Sequence, residues 1–185
     1  GVDWSVPISD LAKTWSASIS SPISSLSSNS AGLAYTLLKE KGQNSASQAY
    51  LMRGMASPDL DPEVKAKTFQ STLNELKTAK RDSLLDRMEI LMMESHSENA
   101  SILAAIGMRR EQSNQQNEAI SLYKKSLLLN PKNPQMLEKV ILNSFGEGSN
   151  LTEVETFTQM AVDEFPEAPE FWFYDGIVKS GLKKD

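Results

Sequence analysis

The sequence contains no cysteine and only one histidine, His96, among its 185 residues. Without thiols it can form no disulfide, no thiolate zinc site and no cysteine nucleophile. A single histidine leaves no multi-histidine metal site, and we place His96 in a polar turn with a structural role. The Gly146-Glu147-Gly148 segment lacks the preceding strand and following lysine of a phosphate-binding loop. We therefore predict no catalytic residues, no metal and no cofactor, and a protein that is not an enzyme.

Long apolar runs and a basic surface are also missing. No apolar run approaches the roughly 20 residues that span a bilayer, and no signal peptide is visible at the start. A net charge of −5 argues against nucleic-acid binding. A short amphipathic stretch around Trp15 has only Lys13 as a basic residue, so membrane contact is not expected. Residues 140–178 contain no cation at all, which indicates either a solvated acidic surface or a region that meets a basic partner.

Apolar residues are present at helical spacing, most clearly in residues 100–134. In its first half Leu103 and Ile106 lie three residues apart, and in its second half Tyr123 and Leu127 lie four apart. This spacing buries one stripe of a helix. A polar run, residues 111–118, connects the two halves, and Asn130-Pro131 ends the second. The pattern predicts two antiparallel helices in a hairpin.

The same stretch resembles the tetratricopeptide repeat, a unit of about 34 residues. Small residues let the two helices approach each other, larger ones fill the space between them, and a proline ends the second helix. Arg110 departs from the pattern, since the family usually has an aromatic residue there. Counting Ala100 as position one, the matching residues are Leu103 at four, Ile106 at seven, Gly107 at eight, Ala119 at twenty, Tyr123 at twenty-four, Ser126 at twenty-seven and Pro131 at thirty-two.

The resemblance implies an all-α fold, a right-handed α-solenoid of antiparallel helix pairs. In the second pair the helices are expected at Glu63–Thr78 and Ser83–Met93, with Asp61 and Asn99 as caps. The terminal helix matches at Trp172 and Gly176, and the chain ends before a partner helix would follow, so we expect a piece of a longer array. The expected organisation is an irregular N-terminal extension at 1–30, helix pairs at 31–56, 62–95, 100–130 and 134–165, and a terminal helix at 169–181.

In this family the first helix of each pair lines a concave groove that binds a partner. Apolar side chains in a groove lower solubility unless a ligand covers them, so Met108, Leu142 and Phe145 are the leading contacts. The alternative is that they pack against a neighbouring element of the same chain. Ala104 and Met108 also stand where members that bind chaperone C-termini have polar residues, which argues against that partner. The groove residues that the resemblance implies are Ala104, Met108, Glu111, Glu138, Leu142, Phe145, Phe173 and Ile177.

The first functional hypothesis is a non-catalytic scaffold that binds a peptide or a helix of a partner protein in this groove. One alternative is an auxiliary domain of a larger enzyme whose catalytic part lies outside this chain. Another is an element that assembles end to end through the terminal helix around Trp172. The resemblance to bacterial repeat proteins suggests the cell envelope or periplasm, with the cytoplasm as the alternative.

Overall fold

The computed structural model describes residues 44–75, 78–145 and 150–183. All regular structure in these ranges is α-helical, which confirms the all-α class there. The predicted N-terminal extension at 1–30 and residues 31–43 of the first predicted helix pair lie outside the described residues. The described helices are α1 Asn44–Ala56, α2 Pro62–Leu73, α3 Ala79–His96, α4 Ala100–Gln112, α5 Gln116–Leu129, α6 Pro134–Ser144, α7 Leu151–Glu164 and α8 Pro169–Leu182.

Polar residues fix where most of these helices begin. Asp61, Asn99 and Asn133 each precede a helix, and their side chains accept hydrogen bonds from backbone N–H groups two or three residues later. Such caps satisfy donors that have no partner within the helix. Proline is the first residue of α2, α6 and α8, where its missing N–H carries no penalty. The predicted caps Asp61 and Asn99 are thus confirmed.

The predicted bounds of the second pair were wrong. Helix α2 ends at Leu73 instead of Thr78, because the Thr78 side chain accepts from the Arg81 N–H and begins α3. Helix α3 continues to His96, which is therefore the last residue of a helix and not part of a turn. Apolar periodicity marks the buried face of a helix but not its ends, which depend on capping geometry.

The chain divides into two units, Gly1–Ser57 and Pro58–Asp185. In the described part of the first unit, helix α1 buries Tyr50, Leu51 and Met55. The second unit contains α2 to α8. Each of these helices packs against the next one along the chain, and α2 also packs against α4.

The tightest contact in the second unit joins α4 and α5. A Cβ atom built on Gly107 would lie 2.5 Å from Cε1 of Tyr123, so only glycine fits beside this ring. The Ser126 hydroxyl donates to the carbonyl of Ala100 at 2.8 Å. Two of the small residues expected at this helix crossing, Gly107 and Ser126, therefore lie in direct contact with the facing helix. The large apolar core continues through α5 to α8 with Tyr123, Leu127, Leu137, Ile141, Phe157 and Phe171.

Candidate functional site

A carboxylate near the end of α4 connects three helices. Glu111 accepts hydrogen bonds from Lys139 Nζ of α6 at 2.7 and 2.8 Å and from Tyr123 Oη of α5 at 2.7 Å. The Lys139 hydrogen bond lowers the pKa of Glu111. Burial raises the pKa of the Tyr123 hydroxyl, and the Glu111 carboxylate raises it further. Glu111, a predicted groove residue, is thus committed to contacts within the chain.

Aromatic side chains make the corresponding connection between α6 and α8. Tyr174 Oη donates to Glu138 Oε1 at 3.4 Å. The centroid of the Tyr174 ring lies 6.5 Å from that of Phe145 and 6.0 Å from that of Phe173, both within the range of favourable aromatic pairs. Burial raises the pKa of Tyr174, and the charges of Glu138 and Glu170 add to this effect.

The predicted groove residues fall into two groups by exposure. Ala104, Met108 and Phe145 are half-buried and pack against the core of the second unit. The exposed group comprises Leu142 at 48%, Phe173 at 65% and Ile177 at 45% of their surface. Leu142 lies one turn beyond Glu138 on α6, and Ile177 one turn beyond Phe173 on α8.

We refer to one set of side chains on α6, on the residue that follows it and on α8 as the apolar face. It contains two half-buried aromatic rings and three exposed apolar side chains, with the carboxylates of Glu138 and Glu170 at its edge. Such a surface can accept apolar side chains and favours cations beside them. The members of the apolar face are Leu142, Phe145, Phe173, Tyr174 and Ile177.

The role of Asp175 was not predicted from the sequence. Asp175 is buried, accepts from Thr158 Oγ1 at 3.3 Å and pairs with Lys179 Nζ at 2.8 Å. The Asp175 hydrogen bond raises the pKa of Lys179. The four-residue spacing of Asp175 and Lys179 was the available signal, since side chains at this spacing meet on a helix. The pair attaches α8 to α7 from the side opposite its exposed residues.

Lys65 was missed as well. It is fully buried on α2, and its Nζ donates to Ser95 Oγ at 2.7 Å and lies 3.2 Å from His96 Nδ1 on α3. Desolvation lowers the pKa of Lys65, and desolvation together with the Lys65 charge lowers the pKa of His96. The Ser95 hydroxyl donates its proton to the Leu91 carbonyl at 2.9 Å, so it is held as a structural group. Lys65 shares a helical stripe with Phe69, which was the sequence signal for its burial.

Two acidic residues of α3 form ion pairs with arginines of α4. Asp86 and Glu89 bind Arg109 of α4 at 2.5 and 2.8 Å, and Glu89 also binds Arg110. The Glu89 hydrogen bond raises the pKa of Arg110. Within residues 44–75, 78–145 and 150–183, no three acidic or histidine side chains converge as a metal site.

No family model matches the chain, and no curated protein matches it. None of the helices described above is both long enough and apolar enough to cross a membrane.

Proposed function

We propose that this chain is a non-catalytic protein-interaction scaffold, built as a right-handed α-solenoid of tetratricopeptide-like helix pairs. Three contacts support this architecture. The Gly107–Tyr123 crossing joins two helices of one pair, α2 packs on α4, and the Glu111–Lys139 bridge joins α4 to α6. The last two of these contacts and the Tyr174–Glu138 bond link successive first helices to one another, as expected of helices that line a groove.

The observation that carries the function is the exposure of Leu142, Phe173 and Ile177 on first helices. Clusters of exposed apolar residues with a polar edge are typical of protein-interaction sites. The two aromatic rings between them, Phe145 and Tyr174, are already fixed by contacts with each other. Little ordering is therefore needed on binding, which favours affinity.

The charge around the apolar face selects the kind of partner. Glu138 and Glu170 lie at its edge, and residues 140–178 contain no cation. An amphipathic helix or peptide with apolar anchors and flanking lysines or arginines fits this surface. Association should accelerate at low salt, because opposite charges steer the encounter.

The test is quantitative affinity capture with two variants that carry the same change in charge. The face variant is Leu142→Glu/Ile177→Glu, and the control is Ile90→Glu/Leu128→Glu, which alters two exposed apolar residues on α3 and α5. Circular dichroism first establishes that both remain folded. We expect a protein retained by the parent and the control but lost by the face variant, with retention falling as salt rises. Equal retention by both variants, or no retained protein, contradicts the proposal.

A further inference from the structure

Among the residues that the structure describes, none covers one side of helix α8. Phe171, Asp175 and Val178 are buried, and α8 packs against α7. A different stripe, spaced four, four and three residues apart, is exposed. We call it the end face and define it as Trp172, Gly176, Ser180 and Lys183. Trp172 keeps 53% of its surface exposed.

The chain itself shows what covers such a stripe elsewhere. Gly107 and Gly176 both stand eighth in their helices, counting from Ala100 and Pro169. A Cβ on Gly107 would collide with Tyr123 of α5, whereas a Cβ on Gly176 would meet no atom of the described residues within 4 Å. Glycine inside a helix is about 1 kcal/mol less favourable than alanine. In α4 the contact between Gly107 and the Tyr123 ring offsets this penalty. In α8 no described residue makes the corresponding contact with Gly176.

We propose that the end face binds a second copy of this chain, α8 against α8 in antiparallel orientation. In a crossing centred between Gly176 and Ser180, Gly176 of one copy lies opposite Ser180 of the other, so the two backbones can approach closely. Lys183 of each copy then comes level with the Trp172 end of the other, where an ammonium group and an indole ring attract each other.

The distribution of charge along α8 favours this orientation and this occupant. Trp172 stands near the N-terminal end of the end face, and the cation Lys183 stands at its C-terminal end. An antiparallel pair brings the aromatic end of one end face beside the basic end of the other, and it does so twice. A parallel pair would set lysine against lysine. The end face is thus complementary to itself about a two-fold axis, as a closed dimer requires.

The expected dimer is weak. Helix α8 has 14 residues and is about 21 Å long at about 1.5 Å per residue. One such helix pair buries less than the roughly 1,200 Å² of a stable complex. Dimers should therefore form at micromolar concentrations or above and exchange quickly.

Analytical ultracentrifugation of the full chain, from low micromolar to several hundred micromolar, tests the association. We expect a rise from monomer to dimer mass and no larger species. Gly176→Gln should remain monomeric throughout, while its thermal stability in dilute solution equals or exceeds that of the parent, since the new side chain enters open space. Leu128→Gln, on exposed α5 surface, is the control and should dimerise like the parent. A parent that stays monomeric, or a Gly176→Gln protein that dimerises equally, overturns the proposal.

Because the sequence has no cysteine, a spin label at Glu170→Cys reports on orientation. In the antiparallel dimer the two labelled positions are offset by about 24 Å along the helix axis. In a parallel dimer they are level with each other and are separated mainly by the distance between the helix axes, about 10 Å. The short distance would overturn the arrangement.

The interaction proposed for the apolar face is tested separately. Leu142→Glu should lose the captured protein but still dimerise, and Gly176→Gln should keep it. Failure of either proposal is thereby distinguishable from failure of the other.

Discussion

The hairpins α2–α3 and α4–α5 occupy equivalent places in the chain but are stabilised by different interactions. In α4–α5 the Tyr123 ring packs directly against the backbone of Gly107, and apolar side chains around it fill the remaining space. In α2–α3 a buried ammonium group, Lys65, takes the place of an apolar residue and bonds to Ser95 and His96. Arg81 also binds the Leu73 carbonyl at 3.0 Å. The stability of α4–α5 therefore depends on close apolar packing, and that of α2–α3 on polar contacts whose strength varies with pH.

The largest expected effect on stability comes from disturbing the close packing of the α4–α5 hairpin. Gly107→Ala places a methyl group against the buried Tyr123 ring, which cannot move away without disturbing the core. We expect a loss of about 2 kcal/mol in the free energy of unfolding, as for other overpacked sites. Urea denaturation measures it. The matched control, Gly176→Ala, should raise stability by up to about 1 kcal/mol. Two changes of the same sign would contradict this account.

We refer to α2–α3 as the polar hairpin. Its stability should rise when the buried cation Lys65 is removed. Lys65 is buried beside neutral partners, and its desolvation lowers its pKa. Lys65→Met keeps the length of the side chain and removes the charge, so we expect stability at pH 7 to rise by about 1 kcal/mol. Lys67→Met, at a site exposed on the same helix, should change stability little. A Lys65→Met protein less stable than the parent would show that the hydrogen bonds outweigh the desolvation.

The pH dependence of the polar hairpin follows from His96. Its pKa is lowered in the folded state, because burial and the Lys65 charge disfavour the imidazolium ion. Folding therefore favours the neutral ring. This contribution is fully present above the unfolded pKa of 6.5 and is lost as the pH falls through the lower, folded value. We expect the urea midpoint to fall below pH 6.5, and to fall less in His96→Gln. The same slope in both proteins would exclude His96 as its source.

The smallest expected effect concerns the carboxylate that joins α4, α5 and α6. The negative charge of Glu111 helps to raise the pKa of Tyr123. Glu111→Gln removes this charge, so Tyr123 should ionise at lower pH. Ultraviolet titration of the phenol measures this shift, and Glu118→Gln, an exposed site on α5, serves as the control. Stability should change by less than about 1 kcal/mol, because Tyr123 can still donate to the amide oxygen. An unchanged titration would mean that burial alone sets the pKa of Tyr123.

Local sequence signals located most helices because their cause is local. The caps Asp61 and Asn99 and the prolines at the first helical positions act on the backbone within one turn. The same reasoning missed the end of α2, since Thr78 can lie within a helix or cap the next one. Only the donor that its side chain meets, the Arg81 N–H, decides between the two.

The candidate sites were predicted less completely than the helices. The pattern identified Leu142, Phe173 and Ile177, which are exposed, but grouped them with Met108 and Phe145, which pack against the core. Position in a repeat indicates which way a side chain points from its own helix. It does not state how close the next helix lies, and that distance determines burial.

The sequence by itself determined the helical class and the caps, because short-range periodicity and backbone chemistry specify them, and the close contact at Gly107 was implied by the resemblance to a helix-pair repeat. Only the tertiary structure decided that Lys65 is buried against Ser95, that Asp175 holds α8 to α7, and that Gly176 faces open space. These outcomes depend on which groups from distant parts of the chain come together. A residue's environment, unlike its helical propensity, is a property of the packed molecule.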